Sequence, residues 1–140
     1  MLRNIREDEK IIFINPGETI LCHTNEFIGG TNSVTTMMKA RSSLRRNFID
    51  VCHSAGWGDV GYYNRWTMEV SNNSTKYKIP LIVGRRVAQI VFFETDGILN
   101  KEYNNNGKYQ SLSTLNELIE KWTPYDMLPK MYNDWENEQK

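Results

Sequence analysis

The chain has 140 residues, 39% hydrophobic and 24% charged, with 17 basic residues balancing 17 acidic ones. That length suits one domain with a real core, and zero formal net charge argues against a chain built to coat nucleic acid. No apolar run approaches the roughly 18 residues of a membrane span, and the start, MLRNIREDEK, lacks the apolar core of a signal peptide. The expectation is a cytoplasmic protein with no nucleic-acid or membrane partner.

In chain order, short runs rich in β-branched and aromatic residues recur between turn signals: KIIFINPGE, TILCHT, SVTTMMKA, RWTMEVSN, YKIPLIVG and RVAQIVFFE. Runs this short cannot stand alone, and their spacing predicts an all-β sandwich or barrel. Pro16-Gly17 and Gly29-Gly30 read as turns. Asn72-Asn73-Ser74 and Asn73-Ser74-Thr75 match the glycosylation pattern, but without a secretory signal they read as a turn. After Gly97 the polar stretch NKEYNNNGKYQ predicts a mobile loop. A helix follows, because Thr114 and Glu117 have capping-box spacing and Leu115, Leu118, Ile119 and Trp122 share one face. Pro124 ends it, and the tail PYDMLPKMYNDWENEQK keeps enough aromatics to pack, with its second half open to a helical reading.

The chemistry concentrates in ARSSLRRNF, residues 40–48. Arg41 and Arg46 offer planar forks of donors, and Ser42 and Ser43 add short neutral hydrogen bonds, a combination suited to phosphate oxygens. Solvated arginines around a Ser-Ser turn are the plain alternative. Neither a Walker-type nor a GxGxxG motif is present, so a phosphate site here is of another kind. In SAGWGDVGYYNRWTMEV, glycines at 56, 58 and 61 permit close backbone approach to a flat ligand. The strand that follows directs Thr67 and Glu69 to one side and Met68 and Val70 to the other. Glu69 either faces solvent or points into a pocket, where desolvation would suit it to proton transfer.

Cys22-His23 and Cys52-His53 invite a zinc reading, but neighbours on a strand point to opposite faces, so each pair easily offers only one ligand. The H-x-E and P-C-x-x-C signature of zinc deaminases is also missing. Core or supporting roles are read for all four, with the thiols reduced and no metal bound by protein side chains.

Taken together, ARSSLRRNFIDVCHSAGWGDVGYYNRWTMEVSN resembles the central block of the dCTP deaminase family, within the dUTPase-like superfamily. The likeness runs through RSSL-x-R, A-G-W-x-D-x-G-Y and T-M-E, and VGRRVAQIVFF resembles a later strand of the family. The resemblance implies a mainly β, dUTPase-like distorted jelly roll with a C-terminal helix, assembled as a homotrimer with active sites between subunits. It implies residues 1–110 as the core, including a lid loop at 100–110, and 111–140 as a helical extension of the same domain. The implied reaction is zinc-independent hydrolysis of dCTP to dUTP and ammonia, with Mg2+ bound through the nucleotide phosphates.

Carried over by position, Glu69 resembles the catalytic glutamate, which takes a proton from water attacking C4 and delivers it to the leaving amine. Ser42 and the Ala55 carbonyl would hold that water, and Arg46 would stand near Glu69 and the phosphates. Arg41, Ser43 and Arg46 resemble the triphosphate cradle. Asp59 matches the deoxyribose-binding position, with Tyr62 packing near the sugar. Thr67 and Met68 would lie along the base edge, Gln89 would contact the nucleotide, and Tyr103, Lys108 and Gln110 resemble lid contacts.

Departures from the family pattern include Val60 in place of proline, Asn64 in place of glycine and Cys52 in place of a common histidine. Family members also carry several dozen more residues before the PGE turn, which is compatible with a compact, viral version. A dUTPase on the same fold is the nearest rival, but its glycine-rich C-terminal motif is missing and position 69 is usually apolar there. A dCMP deaminase, a bifunctional enzyme that also hydrolyses dUTP, and a nucleotide-binding protein without turnover are the other readings.

Overall fold

The computed structural model describes residues 5–30, 32–97, 107–110 and 114–133. Among these lie eight strands: β1 (Ile11–Ile14), β2 (Thr19–Gly29), β3 (Val34–Ala40), β4 (Ile49–Val51), β5 (Trp57–Gly58), β6 (Tyr63–Asn72), β7 (Ile79–Ile82) and β8 (Ala88–Glu94). The helices are short, a single turn α1 (Ser42–Arg45) and α2 (Leu115–Lys121), followed by 3-10 turns at Pro124–Met127 and Met131–Asn133. The strands form three sheets, ordered β1-β7, β2-β6-β4 and β5-β3-β8.

Each of the six apolar runs contains a strand, so the mainly β expectation holds. The chain forms two compact units, and β2, β3, β5, β6 and β8 each contribute to both. The first unit draws on Met1–Asn25, Met37–Trp57 and Thr67–Val91; the second on Glu26–Thr36, Gly58–Trp66 and Phe92–Lys140.

β6 sets the pattern for both, because its side chains alternate strictly between a buried and a half-exposed face. In the first unit Met68 and Val70 are buried with Ile14, Met38, Ile49, Val51, Ile79 and Leu81. Burying each such side chain stabilises by about 1.5–3 kcal/mol. β4 pairs antiparallel with β6 in the register Ile49↔Asn72, Asp50↔Ser71 and Val51↔Val70. Asn72, in the segment expected to be a turn, is instead wholly buried at the end of β6. Its amide Nδ2 donates to the carbonyls of Ile14 at 3.0 Å and Tyr77 at 2.7 Å, and its Oδ1 accepts from the Ser74 amide at 2.9 Å.

In the second unit Trp66 is buried and its Nε1 donates to the Ile28 carbonyl at 3.1 Å. Arg65 lies between two aromatic faces, its guanidinium 5.0 Å from the Phe27 ring centre and 4.9 Å from that of Trp122. The tail expected to pack through its aromatic residues does not do so at Tyr125 and Tyr132, which are exposed; its Lys130 instead meets Tyr109, the amide donating to the hydroxyl at 3.4 Å and the ammonium lying 5.6 Å from the ring centre. The capping box at α2 forms as expected, the Glu117 amide donating to Thr114 Oγ1 at 3.3 Å and the Thr114 amide to Glu117 Oε2 at 2.9 Å. Residues 100–106 of the loop expected at 100–110 and the final seven residues of the tail lie outside the described residues.

Candidate active site

Within the first unit, the arginine-serine segment is a turn rather than a strand. Arg41 stands in extended conformation before α1, its amide donating to the Val87 carbonyl at 3.0 Å and its guanidinium to the Arg86 carbonyl at 3.3 Å. These two bonds hold the start of the segment beside β8. Asn47 closes the other end, its side-chain amide donating to the Ser43 carbonyl at 2.7 Å, and Phe48 then turns with φ of 68°. Left-handed backbone is costly for a bulky residue, so α1 cannot propagate past this point. Ser42, Ser43, Arg45 and Arg46 are all exposed on the short helix or its boundary.

Glu69 and Thr67 share the half-exposed face of β6, as the alternation of the sequence required. Met68 does not join them, because its side chain is buried in the core on the opposite face. Cys52 extends the β4 pairing by donating its amide to the Glu69 carbonyl at 3.0 Å, and it too adopts positive φ, 49°. Its thiol is pushed up to about 11, first by burial and then by the Glu69 charge. It is a core residue, not a ready thiolate.

The chain from Cys52 to Gly56 is pinned at both ends. Cys52 bonds β6, and the Gly56 carbonyl accepts from the Met38 amide at 2.6 Å. Between them His53, Ser54 and Ala55 are exposed. His53 Nδ1 lies 2.8 Å from Asp50 Oδ2. Asp50 also receives the Val51 amide at 3.0 Å and stands 3.9 Å from the Arg45 guanidinium. Burial alone would raise the Asp50 pKa; the hydrogen bond to His53, the Val51 amide and the Arg45 charge outweigh it and hold the carboxyl below its ordinary value. Asp50 was missed in the sequence, where only its i,i+3 spacing from His53 hinted at the pair.

Gln89 is exposed on β8, which is an edge strand of its sheet. The glycines of SAGWG are required by internal packing. A Cβ on Gly56 would stand 2.5 Å from the Met38 carbonyl, and one on Gly58 would stand 2.6 Å from the Trp66 ring.

In the second unit Asp59 is exposed at a tight turn in which its carbonyl accepts from the Tyr62 amide at 3.0 Å, Gly61 supplying the positive φ of 84°. The Tyr62 ring stands edge-on to Trp66, with centres 5.7 Å apart. Lys108 is half-buried. Gln110 is buried and its Oε1 accepts from the Tyr63 amide at 2.8 Å, while Asn64 Nδ2 donates to the Tyr109 carbonyl at 3.2 Å. These bonds fix residues 109–110 along β6. Tyr103 lies outside the described residues.

Among the described residues no three His, Cys, Asp or Glu side chains gather to hold a metal ion. His23 Nδ1 pairs with the Thr24 carbonyl at 2.9 Å, and burial raises the half-buried Cys22 thiol. Among those residues, no helix is long and apolar enough to cross a membrane.

A family model described as dCTP deaminase-like matches residues 2–95. The chain belongs to the dCTP deaminase-like family. Among its relatives is a Hydrogenobaculum sp. (strain Y04AAS1) protein named dCTP deaminase, dUMP-forming, 40% identical over 90 residues, covering 64% of this chain and 50% of the relative. A Methanopyrus kandleri protein of the same name is 37% identical over 107 residues, covering 75% of this chain and 54% of its own length. The chain spans about half the length of these curated dCTP deaminase relatives. A solved structure of native EIAV dUTPase aligns with a TM-score of 0.54 at 21% identity, over 69% of this chain and 78% of the dUTPase. The dCTP deaminase-like chain therefore has a dUTPase-like fold.

Proposed function

We propose that this protein hydrolytically deaminates the cytosine of a deoxycytidine nucleotide, dCTP first, at a site centred on Glu69. One observation carries the reading: in a chain of the dCTP deaminase-like family, Glu69 stands half-exposed on the open face of β6 while its strand neighbours Met68 and Val70 form the core. Water held by the Ser42 hydroxyl and the Ala55 carbonyl attacks C4. Glu69 takes its proton and returns it to the amine, which leaves as ammonia. Arg41, Ser43 and Arg46 bind the phosphates, and magnesium arrives with the triphosphate as part of the substrate, without zinc. Asp59 and Tyr62 hold the deoxyribose, Gln89, Tyr103 and Lys108 contact the nucleotide, and Thr67 and Met68 meet the base edge, Met68 through its main chain. Gln110 acts through its bond to the Tyr63 amide.

The relatives' shared name, dUMP-forming, favours onward hydrolysis in the same protein over release of dUTP. The balanced steps are dCTP + H2O to dUTP + NH3, then dUTP + H2O to dUMP + diphosphate.

The assembly is read as a homotrimer acting in the cytoplasm. β8 supports further assembly: this edge strand exposes Val91, Phe92 and Phe93, an apolar edge that a second copy of the chain would cover.

The test is chromatographic product analysis with dCTP, dCMP and dUTP supplied separately, with magnesium and no added zinc. Ammonia with dUMP and diphosphate from dCTP supports both steps, and ammonia with dUTP alone supports only the first. Turnover of dCMP alone would move the phosphate assignment, consumption of dUTP alone would remove Glu69 from its role, and nucleotide binding without any product would refute the reaction.

A further inference from the structure

The pairing of β4 with β6 places a second carboxylate beside the proposed proton carrier. Residues directly opposite in an antiparallel pair project to the same face, and Asp50 is opposite Ser71. Ser71 lies two residues from Glu69 on β6, so Asp50, Ser71 and Glu69 share one face of the sheet. On that face Ser71 Oγ lies 2.7 Å from Thr19 Oγ1.

Asp50 is not a free acid. It links two segments of the proposed site: Arg45 belongs to α1, beside Arg46 and the two serines, and His53 belongs to the pinned turn that carries Ala55. The ends of that turn are fixed by main-chain bonds, but His53, Ser54 and Ala55 between them are exposed. Among the described residues, the side-chain hydrogen bond that ties this middle stretch to the sheet is His53 to Asp50.

We propose that Asp50, acting through His53, is a positioning residue that holds the Ala55 carbonyl in register with Glu69, so that removing it impairs turnover far more than nucleotide binding. This rests on the deaminase reading for its kinetic consequence. The nearer contact is to His53, at 2.8 Å against 3.9 Å for Arg45, which directs the larger effect to the water-holding turn and the smaller one to the phosphate segment. Misplacing a positioned group by about 1 Å can cost about a hundredfold in rate.

The test compares Asp50→Asn, His53→Ala and His53→Gln in the full chain. For Asp50→Asn the expected result is a fall in kcat of about tenfold to a hundredfold with KM for dCTP within about twofold. Gln at position 53 retains a side-chain N–H donor and should recover part of the rate that Ala loses. Binding of dCTP, measured by calorimetry with Glu69→Gln added to block turnover, should stay within about twofold on the Asp50→Asn change. An unchanged kcat, equal rates for Gln and Ala at position 53, or a parallel loss of binding and melting temperature would each overturn the proposal. If the unaltered protein releases no ammonia from any deoxycytidine nucleotide, the deaminase reading fails separately. Amide hydrogen exchange then decides the structural half: faster exchange at residues 53–55 in Asp50→Asn upholds the tether, and unchanged exchange refutes it.

Discussion

Replacing Asn72 by alanine is the sharpest test of how the first unit is held together. The side chain is wholly buried and makes three bonds: its amide donates to the carbonyls of Ile14 and Tyr77, and its oxygen accepts from the Ser74 amide. Tyr77 is exposed, so its carbonyl can regain water. Ile14 and Ser74 are buried, and each is left with an unmet polar group. At about 1–3 kcal/mol for each buried group left without a partner, the loss is about 2–6 kcal/mol. For a domain of this size each kcal/mol corresponds to about 3–4 °C, so the melting temperature should fall by roughly 6–24 °C. The neighbouring Asn73 is exposed, and its alanine variant should stay within about 0.5 kcal/mol of the parent. Urea denaturation of both variants at one protein concentration measures the contrast. A loss below about 1 kcal/mol at position 72, or equal losses at the two positions, would refute the account of Asn72 as the bridge between β1, β6 and the following turn.

Three further expectations follow from the same contacts. Alanine at Gly58 would push a Cβ to 2.6 Å and 2.8 Å from two carbons of the Trp66 ring, and overpacking of this kind costs about 1–3 kcal/mol, read by thermal melting. Glu9 is held down to about 2, chiefly by its hydrogen bond to Arg85 and then by the Arg6 amide. Because its folded pKa lies below the ordinary 4.5, its contribution is complete above that value and is lost as pH falls toward 2; Arg85→Ala should flatten the loss of stability in an acid titration. The Cys52 thiol should show no thiolate absorbance at pH 8, and Glu69→Gln, by removing one of the influences that raise it, should lower its titration midpoint.

The strands were legible because β-branched runs with alternating polarity leave few other ways to bury their apolar side; β6 follows the alternation residue for residue. The capping box at Thr114 and Glu117 was equally readable, since both halves are local. Non-local pairings were not readable. α1 is a single turn without apolar periodicity, and it is positioned by bonds from Arg41 to Arg86 and Val87, far along the chain. Gly56 and Gly58 looked like openings for a ligand because a glycine does not show in sequence which backbone or ring approaches it. Asp50 sits in a strand of three residues, too short for a pattern, and its meaning depends on which β6 residue it opposes.

The most direct measurement is ammonia release from dCTP by the unaltered protein and by Glu69→Gln, with dCTP affinity measured on both. The account predicts release by the parent, a loss of at least about a thousandfold in the variant, within the range that positioned acid-base groups supply, and affinity retained. Ammonia release that survives in Glu69→Gln would contradict the assignment of Glu69, and with it the central claim.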